Sequence, residues 1–278
     1  MKIGQTRFKN TDFIYYPINK GMVSADGMEY VRAHPPALGK MLKAGEVDIA
    51  PTSSIIYAKN FNDFYILPDF SVSAHGKTGS ILLFSEMSNL EDLEGKTVAV
   101  PGTSASSLAL LEIILKMKGI NADILHHEKP DLDAMLEKAD AALLIGDHAL
   151  KASYDGRRIL CDLGEEWKGL TGHMMVYALW VIRKEVAEKR PEEVSMFYDL
   201  LVLSRRLAKE EIDTISVQLA KDLGVAPEFM KAHLETLDYS LGSDVVRGLE
   251  EYFAKAYEFG ILERIPELNF FEVQNAGY

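Results

Sequence analysis

Two hydroxyl-rich turns are the segments of this sequence with the clearest chemistry. The first contains Thr103, Ser104, Ser106 and Ser107, between a predicted strand and a predicted helix. Backbone N–H groups at the start of a helix have no intrahelical partner and lie at its positive dipole end, which favours a bound carboxylate or phosphate. Capping a helix needs only one Ser or Thr. The turn therefore predicts an anion site, although it lacks the GxxxxGK[ST] pattern of a P-loop.

The second turn has the same form, a strand followed by hydroxyl residues and then a helix. It consists of Thr52, Ser53 and Ser54, directly after Pro51. Taken alone, it is as consistent with simple helix capping as with ligand binding. Two such turns in one cleft could hold a ligand with two anionic groups.

Four isolated polar residues complete the candidates for substrate contacts. Asn10 follows the first predicted strand, where an Asn usually lies in a turn, and it could orient a hydroxyl group without acting as a strong base. Ser80 lies beside Gly79 in an extended run, which indicates a close approach to backbone or ligand. Asp147 follows a hydrophobic strand and could cap a helix or contact a ligand. His173 falls in a segment that we expect to line the cleft.

Composition excludes several classes of protein. The chain has 278 residues, 47% of them apolar, and this is enough to build one large domain or two smaller ones. Its only cysteine is Cys161, so a disulfide framework is excluded and a cysteine-based zinc site is not expected. A formal charge of −12 argues against nucleic acid as a partner.

The remaining patterns argue against a metal site, a cofactor and a membrane. The seven histidines show no metal-binding spacing, and neither GxGxxG nor GxSxG occurs. We therefore expect no metal and no cofactor. The longest apolar runs, such as 174–182, are far shorter than a membrane-spanning helix, and the N-terminus has no apolar signal region. We expect a cytoplasmic protein.

The elements that must position these residues follow an α/β pattern. Short strands and helices alternate over the first 180 residues or so, which is typical of an open, mostly parallel sheet. Only amphipathic helices are predicted after Pro191, at about 191–207, 209–223, 227–238 and 243–259. Breaks near 85–92 and 172–183 predict two lobes. The first lobe comprises 1–86 and 180–278, with the C-terminal helices, and the second comprises 87–179.

Six segments, in order along about the first 185 residues, resemble a known family. They are KIGQTRFKNT, LKAGEVDIAPTSSIIYAKN, ILPDFSVSAHGKTGSILLFS, VPGTSASSLALLEIIL, ALLIGDHAL and DLGEEWKGLTGHMMVYALWVIR. Together they resemble the menaquinone biosynthetic enzymes of the futalosine pathway, of the chorismate dehydratase type. The helical C-terminal region is similar to that family in character only.

The resemblance implies a fold and a reaction. The fold is that of type II periplasmic binding proteins, with two α/β lobes around a cleft. The reaction is the removal of water from chorismate to give 3-[(1-carboxyvinyl)oxy]benzoate, by a carbon–oxygen lyase that needs no metal or redox cofactor. The family's cleft Asn and Ser match Asn10 and Ser80. The chain departs from the family pattern at 11–13 and at His173, which leaves the exact substrate open.

Two other functions are compatible with the same fold. One is a non-catalytic solute-binding or sensor protein, because fold alone does not determine function. The other is the later 1,4-dihydroxy-6-naphthoate synthase step of the same pathway. In each case the expected partner is a small-molecule carboxylate. The sequence allows a homodimer but does not determine the oligomeric state.

Overall fold

The computed structural model describes residues 1–102 and 105–274. This part of the chain contains ten strands in two five-stranded sheets. The strands are β1 (Lys2–Gln5), β2 (Glu29–Arg32), β3 (Ile49–Ser53), β4 (Phe64–Ala74), β5 (Ile81–Phe84), β6 (Thr97–Pro101), β7 (Asp123–His127), β8 (Ala141–Ile145), β9 (Ile159–Asp162) and β10 (Met175–Arg183). Thr103 and Ser104, from the first hydroxyl-rich turn, lie outside the described residues.

The helices fall into two groups along the chain. Those interleaved with the strands are α1 (Lys9–Asn19), α2 (Pro35–Ala44), α3 (Ser54–Lys59), α4 (Ala105–Lys118), α5 (Leu132–Leu136), α6 (Gly146–Tyr154) and α7 (Leu163–Thr171), with a short 3-10 turn at Leu90–Leu93. Those that follow the last strand are α8 (Lys184–Lys189), α9 (Pro191–Glu210), α10 (Ile212–Leu223), α11 (Pro227–Thr236) and α12 (Ser243–Glu258). Among the described residues, no helix is both long enough and apolar enough to cross a bilayer.

The first sheet has the strand order β2-β1-β3-β10-β4. Strands β1, β2 and β3 are mutually parallel, whereas β10 runs antiparallel to both β3 and β4. Residues at the centre of this sheet, such as Ile3 and Ile49, are fully buried. Burial on both faces is typical of a sheet covered by helices on each side. We call this sheet and the helices packed on it the first lobe.

The second sheet has the strand order β7-β6-β8-β5-β9. Strand β6 is parallel to β7 and β8, and β5 is antiparallel to β8 and β9. Its central strand β8 has the sequence AALLI and is almost completely buried. We call this sheet and its helices the second lobe.

The chain changes sheet earlier than the boundaries suggested by the sequence. Strand β5 belongs to the second sheet rather than to a segment 1–86, and the whole of β10 belongs to the first sheet rather than being divided at residue 180. The two connections are therefore 75–80 and 163–174. The difference arises because the apolar run 81–84 gives the same pattern whether it ends one sheet or begins the next, and only strand pairing distinguishes the two.

The C-terminal helices pack mainly on the first lobe, and their bounds agree with the sequence prediction to within three residues. Ser204 of α9 donates a hydrogen bond to the backbone carbonyl of Ile14 in α1, at 2.6 Å. Helix α12 packs against β10 and also reaches α4 of the second lobe, where the Tyr252 hydroxyl donates to the Ser106 carbonyl at 3.0 Å. The helical region thus supports both lobes.

Helix α1 replaces the turn that the sequence predicted around Asn10. Phe13, Ile14 and Ile18 are buried at helical spacing, and they hold the helix against the protein core. The polar start at 9–12 and the interior Pro17 obscured this period in the sequence, because both are typical of turns. Asn10 therefore lies in the first turn of a helix.

Candidate active site

A cavity lies between the two lobes, and residues from both form its walls. Its volume is about 100 Å³, measured as the space open to the centre of a water molecule, which is room for a small organic ligand. Apolar side chains form much of the wall. The predicted site residues that line the cavity are Asn10, Thr52, Ser53, Ser80, Ser106 and Ser107.

Asn10 presents its amide nitrogen to the cavity. Its Oδ1 atom accepts a hydrogen bond from the Thr11 backbone N–H at 2.7 Å, so this amide orientation leaves Nδ2 as the group available to a ligand. In the described part of the chain, Nδ2 has no protein partner. The adjacent turn is held by a hydrogen bond between the Thr6 and Thr11 hydroxyls and by one from Thr11 Oγ1 to the Phe8 carbonyl, at 3.0 Å.

Ser80 lies at the end of the connection from the first sheet to the second. Its side chain is buried at the cavity wall, and its hydroxyl has no partner among the described residues. The Ser80 and Ile81 backbone N–H groups both donate to Thr78 Oγ1, at 3.1 Å each. Thr78 therefore determines the direction in which Ser80 points.

A buried carboxylate, Asp162, binds the backbone of this connection. Its Oδ2 atom accepts the Thr78 N–H at 2.9 Å and the Gly79 N–H at 2.7 Å, and its Oδ1 atom accepts the Gly164 N–H at 2.9 Å. Burial raises the pKa of Asp162, while these backbone donors act in the opposite direction. On the other side, His233 Nδ1 lies 3.0 Å from the Thr78 carbonyl. Ser80 is thus set on a well-supported turn.

The two hydroxyl-rich turns lie in contact, and most of their described hydroxyl groups bind each other or the backbone rather than facing the cavity. Ser106 Oγ contacts Ser53 Oγ, lies 3.1 Å from Ser54 Oγ and lies 3.2 Å from the Tyr177 carbonyl. Ser54 is fully buried behind the cavity wall and donates to the Val176 carbonyl at 2.7 Å. Ser54 and Ser106 therefore brace the contact between the lobes, and Thr52 is the hydroxyl of this turn with no protein partner among the described residues.

Several helices begin at the cavity, which gives it a positive potential without a cationic side chain. Asn10 and Thr11 lie in the first turn of α1, Ala105 to Ser107 in the first turn of α4, and Gly146 begins α6. The partial positive charge at each of these helix starts favours a bound anion. The cavity is therefore suited to a carboxylate ligand.

The described residues that line the cavity include no Asp, Glu, His, Lys or Arg. Their single ionisable side chain is Tyr177, and burial raises the pKa of its hydroxyl well above the usual range. This hydroxyl is buried and has no hydrogen-bond partner in the described structure. At neutral pH the cavity therefore supplies no side chain that could act as a strong general base.

Two predicted substrate contacts lie elsewhere. Asp147 caps a helix, but across the lobe interface: its Oδ1 atom accepts the Lys9 backbone N–H at 3.0 Å, at the start of α1. Burial raises the pKa of Asp147 to about 6. His173 lies in the loop between α7 and β10, where its N–H donates to Thr171 Oγ1 at 3.2 Å, and it does not line the cavity. The direction of the Asp147 side chain depends on a contact with the other lobe, which local sequence does not reveal.

The structure adds Thr6, Phe8, Thr78 and Tyr177 to the walls of the cavity. Thr78 was detectable in principle, since it lies two residues before Ser80 in the same polar turn. Tyr177 was hidden within an apolar strand. In the described ranges 1–102 and 105–274, no cluster of three or more His, Cys, Asp or Glu is placed to hold a metal ion.

Comparisons with known proteins agree with this architecture. A family model described as menaquinone biosynthesis matches residues 1–258. Chorismate dehydratase from Thermus thermophilus is 27% identical over 266 residues, which cover 90% of this chain and 93% of that protein. The 1,4-dihydroxy-6-naphtoate synthase of Streptomyces coelicolor is 24% identical over 177 residues, 62% of each chain.

A solved structure shows the fold. The periplasmic aliphatic sulphonate binding protein SsuA from Escherichia coli superposes with a TM-score of 0.71 at 17% identity, over 100% of this chain and 94% of that one. The predicted fold, with two lobes like those of periplasmic binding proteins, is therefore confirmed. Because the family model matches nearly the entire chain, this protein belongs to the menaquinone biosynthesis family.

Proposed function

We propose that this protein is a chorismate dehydratase, a hydro-lyase that converts chorismate to 3-[(1-carboxyvinyl)oxy]benzoate. The reaction breaks the bond from ring C3 to hydrogen and the bond from C4 to the hydroxyl, forms the C3–C4 double bond, and releases one water. Nothing is oxidised or reduced overall. The similarity to a chorismate dehydratase over 90% of this chain supports the substrate.

The observation that carries the proposal is the chemistry of the cavity wall. Uncharged donors and three helix starts can hold a carboxylate, while apolar residues such as Val72 and Ile81 can contact a ring. A dehydration that produces an aromatic ring demands orientation and removal of a proton rather than a strong nucleophile. The wall matches that demand.

The absence of an acid or base among the described lining residues suggests where the proton goes. We infer that a carboxylate of the substrate itself accepts the C3 proton. Asn10 Nδ2 and Ser80 Oγ donate hydrogen bonds that orient the C4 hydroxyl and stabilise the charge that develops on it. The departing hydroxyl takes the proton back from the substrate carboxyl group and leaves as water, which restores the carboxylate. Enclosure between the lobes keeps bulk water away from the reacting atoms.

Substitution of the two donors tests these roles. Asn10→Ala and Ser80→Ala should each lower kcat/KM for chorismate by more than about tenfold, equivalent to about 1.4 kcal/mol of transition-state stabilisation. Asn62→Ala and Ser88→Ala, which remove the same groups from exposed positions, are the matched controls. Circular dichroism should establish that each variant is folded. Near wild-type turnover in both Asn10→Ala and Ser80→Ala would remove these residues from the mechanism.

A second function is favoured by one of the same observations. A cavity without a side-chain base would also suit a protein that binds its ligand and does not transform it. That outcome predicts no turnover together with a chorismate-dependent rise in melting temperature, since a ligand that binds only the folded state stabilises it. The partial match to the naphthoate synthase makes the later pathway intermediates the next substrates to assay.

A further inference from the structure

A second, wider cavity lies directly outside the candidate active site. Its volume is about 490 Å³ by the same measure, and it shares Phe8 and Ile145 with the inner cavity. We call it the outer cavity. Its other walls are His34, Lys129, Pro130, Asp131 and His148. His34 comes from the first lobe, whereas Lys129 and His148 come from the second, so the outer cavity spans the cleft.

Nitrogen-bearing side chains distinguish the outer cavity from the inner one. His34, Lys129 and His148 line it, while the described residues of the inner cavity include no cationic side chain. None of these three side chains makes a hydrogen bond or an ion pair within residues 1–102 and 105–274. The chain as a whole has a formal charge of −12. A cluster of three nitrogen-bearing side chains is therefore unusual in this protein, and it could bind an anionic ligand.

Two carboxylates, one in the wall of the outer cavity and one beside His148 in the sequence, cap helices. Asp131 Oδ1 accepts the Ala134 N–H of α5 at 3.2 Å. Asp147, the neighbour of His148, accepts the Lys9 N–H of α1. Within the described residues, neither carboxylate forms an ion pair with His34, Lys129 or His148. The Lys129 ammonium is therefore available to a ligand.

The two imidazoles influence each other across the cleft. Burial lowers the pKa of His148, and the neighbouring His34 lowers it further. The imidazole N–H groups and the Lys129 ammonium can all donate hydrogen bonds to a carboxylate that lies between them. This arrangement favours a negatively charged group over a neutral one.

We propose that the outer cavity is an anion subsite in which His34, Lys129 and His148 bind one carboxylate of a dicarboxylate substrate while the inner cavity holds the reacting ring. The shared walls at Phe8 and Ile145 allow one molecule to extend from one cavity into the other. The proposal rests on the proposed function, because chorismate carries a carboxylate on its ring and another on its enolpyruvyl group.

Charge removal tests the subsite. His34→Gln, Lys129→Gln, His148→Gln and the triple variant should be compared with wild type in steady-state turnover of chorismate at low and high salt. Each single change should raise KM about two- to fivefold, and the triple variant more than tenfold, with kcat changed by less than about twofold. Wild-type KM should rise with salt more steeply than that of the triple variant. Lys138→Gln, which removes an exposed charge from the same lobe, should leave KM unchanged.

The possible results distinguish failure of the anion subsite from failure of the proposed dehydratase activity. Turnover with an unchanged KM in the triple variant would overturn the subsite and leave the dehydratase intact. If wild type shows no turnover, calorimetric titration with chorismate decides the matter. Affinity that falls more than tenfold in the triple variant supports the subsite without the dehydratase. Equal affinity in both proteins, or no binding to either, overturns the subsite.

Discussion

At the scale of single residues, the candidate site divides into groups that face the cavity and groups that hold them in place. Asn10 and Ser80 face the cavity with unpartnered donors, as far as the described residues extend. Thr78 and Asp162 form the support beneath Ser80, through the hydrogen bonds from the Thr78, Gly79 and Ser80 N–H groups. Asp162 does not line the cavity and should affect catalysis only through the residues that it positions, whereas Thr78 also lines the cavity wall beside Ser80.

Thr78 provides the sharpest test of this division. Thr78→Val keeps the shape of the side chain but deletes the oxygen that accepts the Ser80 and Ile81 N–H groups. A buried N–H group left without an acceptor costs about 1–3 kcal/mol of free energy, which favours a shift of the turn. Because that shift would move the Ser80 hydroxyl, we expect kcat to fall about tenfold or more. Thr78→Ser retains the oxygen and should keep near wild-type kcat. Steady-state kinetics with chorismate measures both.

A double variant shows whether Thr78 affects catalysis through Ser80. In a Ser80→Ala protein, adding Thr78→Val should lower kcat by less than about a further twofold, because the group that Thr78 positions is already gone. An equal loss in both backgrounds would show that Thr78 acts on folding or on another part of the site.

The sequence indicated Asn10, Thr52 and Ser106 because they follow predicted strands, and it indicated Ser80 because that residue lies beside Gly79 in an extended run. Strands β3 and β6 belong to different sheets, and the packing of the two lobes brings Thr52 and Ser106 to the same cavity. Asp147 also follows a strand, yet its side chain accepts the Lys9 N–H across the lobe interface, and that contact leaves no local pattern in the sequence. His173 precedes a strand but lies in a loop that does not line the cavity.

At the scale of elements, the site depends on abrupt passages from strand to helix. Strand β8 ends at Ile145 and α6 begins at Gly146 without an intervening loop. Gly146 has a φ of +56°, and a Cβ atom there would lie 2.8 Å from the Phe8 ring. This close approach brings the start of α6 to the inner cavity and seats Phe8 against the opposite lobe.

Gly146→Ala should therefore destabilise the protein more than an ordinary glycine substitution. It combines backbone strain with a steric overlap, each of about 1–3 kcal/mol, and should lower the melting temperature by several degrees. Gly156→Ala is the matched control, since Gly156 has a φ of +79° and a Cβ atom added there would meet nothing within 4 Å. An equal fall in melting temperature in the two variants would show that contact with Phe8 does not restrict the side chain at position 146.

Element prediction succeeded where the hydrophobic period was undisturbed. Helix α12 was predicted to within one residue because caps and amphipathic spacing coincide there, whereas the start of α10 was predicted three residues too early. Helix α1 was missed because its polar start and Pro17 resemble a turn, and only the burial of Phe13 and Ile14 against the core makes the helix clear. Tertiary packing, rather than local propensity, determines that element.

At the scale of the whole molecule, contacts across the cleft hold the two lobes together around the cavity. Asp147 of the second lobe accepts the Lys9 N–H of the first, Phe8 lies against Gly146, and Ser53 contacts Ser106. These contacts surround the cavity on two sides. The two lobes thus enclose the cavity between them, in an arrangement like that of hinged lobes around a bound molecule.

The Asp147 contact should make the stability of this arrangement depend on pH. Burial raises the pKa of Asp147 from 3.8 to about 6, so the folded protein holds this proton more tightly than the unfolded chain. Its contribution to stability is fully present below about pH 4 and is lost as pH rises through about 6, a difference on the order of 3 kcal/mol. Lys9 and Asp12 are the charged neighbours that modify this pKa.

Asp147→Asn keeps an oxygen that can accept the Lys9 N–H but cannot ionise. The variant should melt several degrees above wild type at pH 8, and this advantage should shrink as the pH is lowered to 4.5. Asp131→Asn, which changes an exposed capping carboxylate of the same lobe, controls for the loss of a charge. A variant that melts below wild type by the same amount at both pH values would contradict the account.

The central claim is that the cavity between the lobes dehydrates chorismate. The most direct measurement mixes purified protein with chorismate and follows product by mass spectrometry and ultraviolet absorbance. The account predicts an aromatic product lighter than chorismate by one water, formed far faster than without enzyme and more than about tenfold more slowly by Asn10→Ala and Ser80→Ala. Unchanged chorismate after prolonged incubation with folded protein would contradict it.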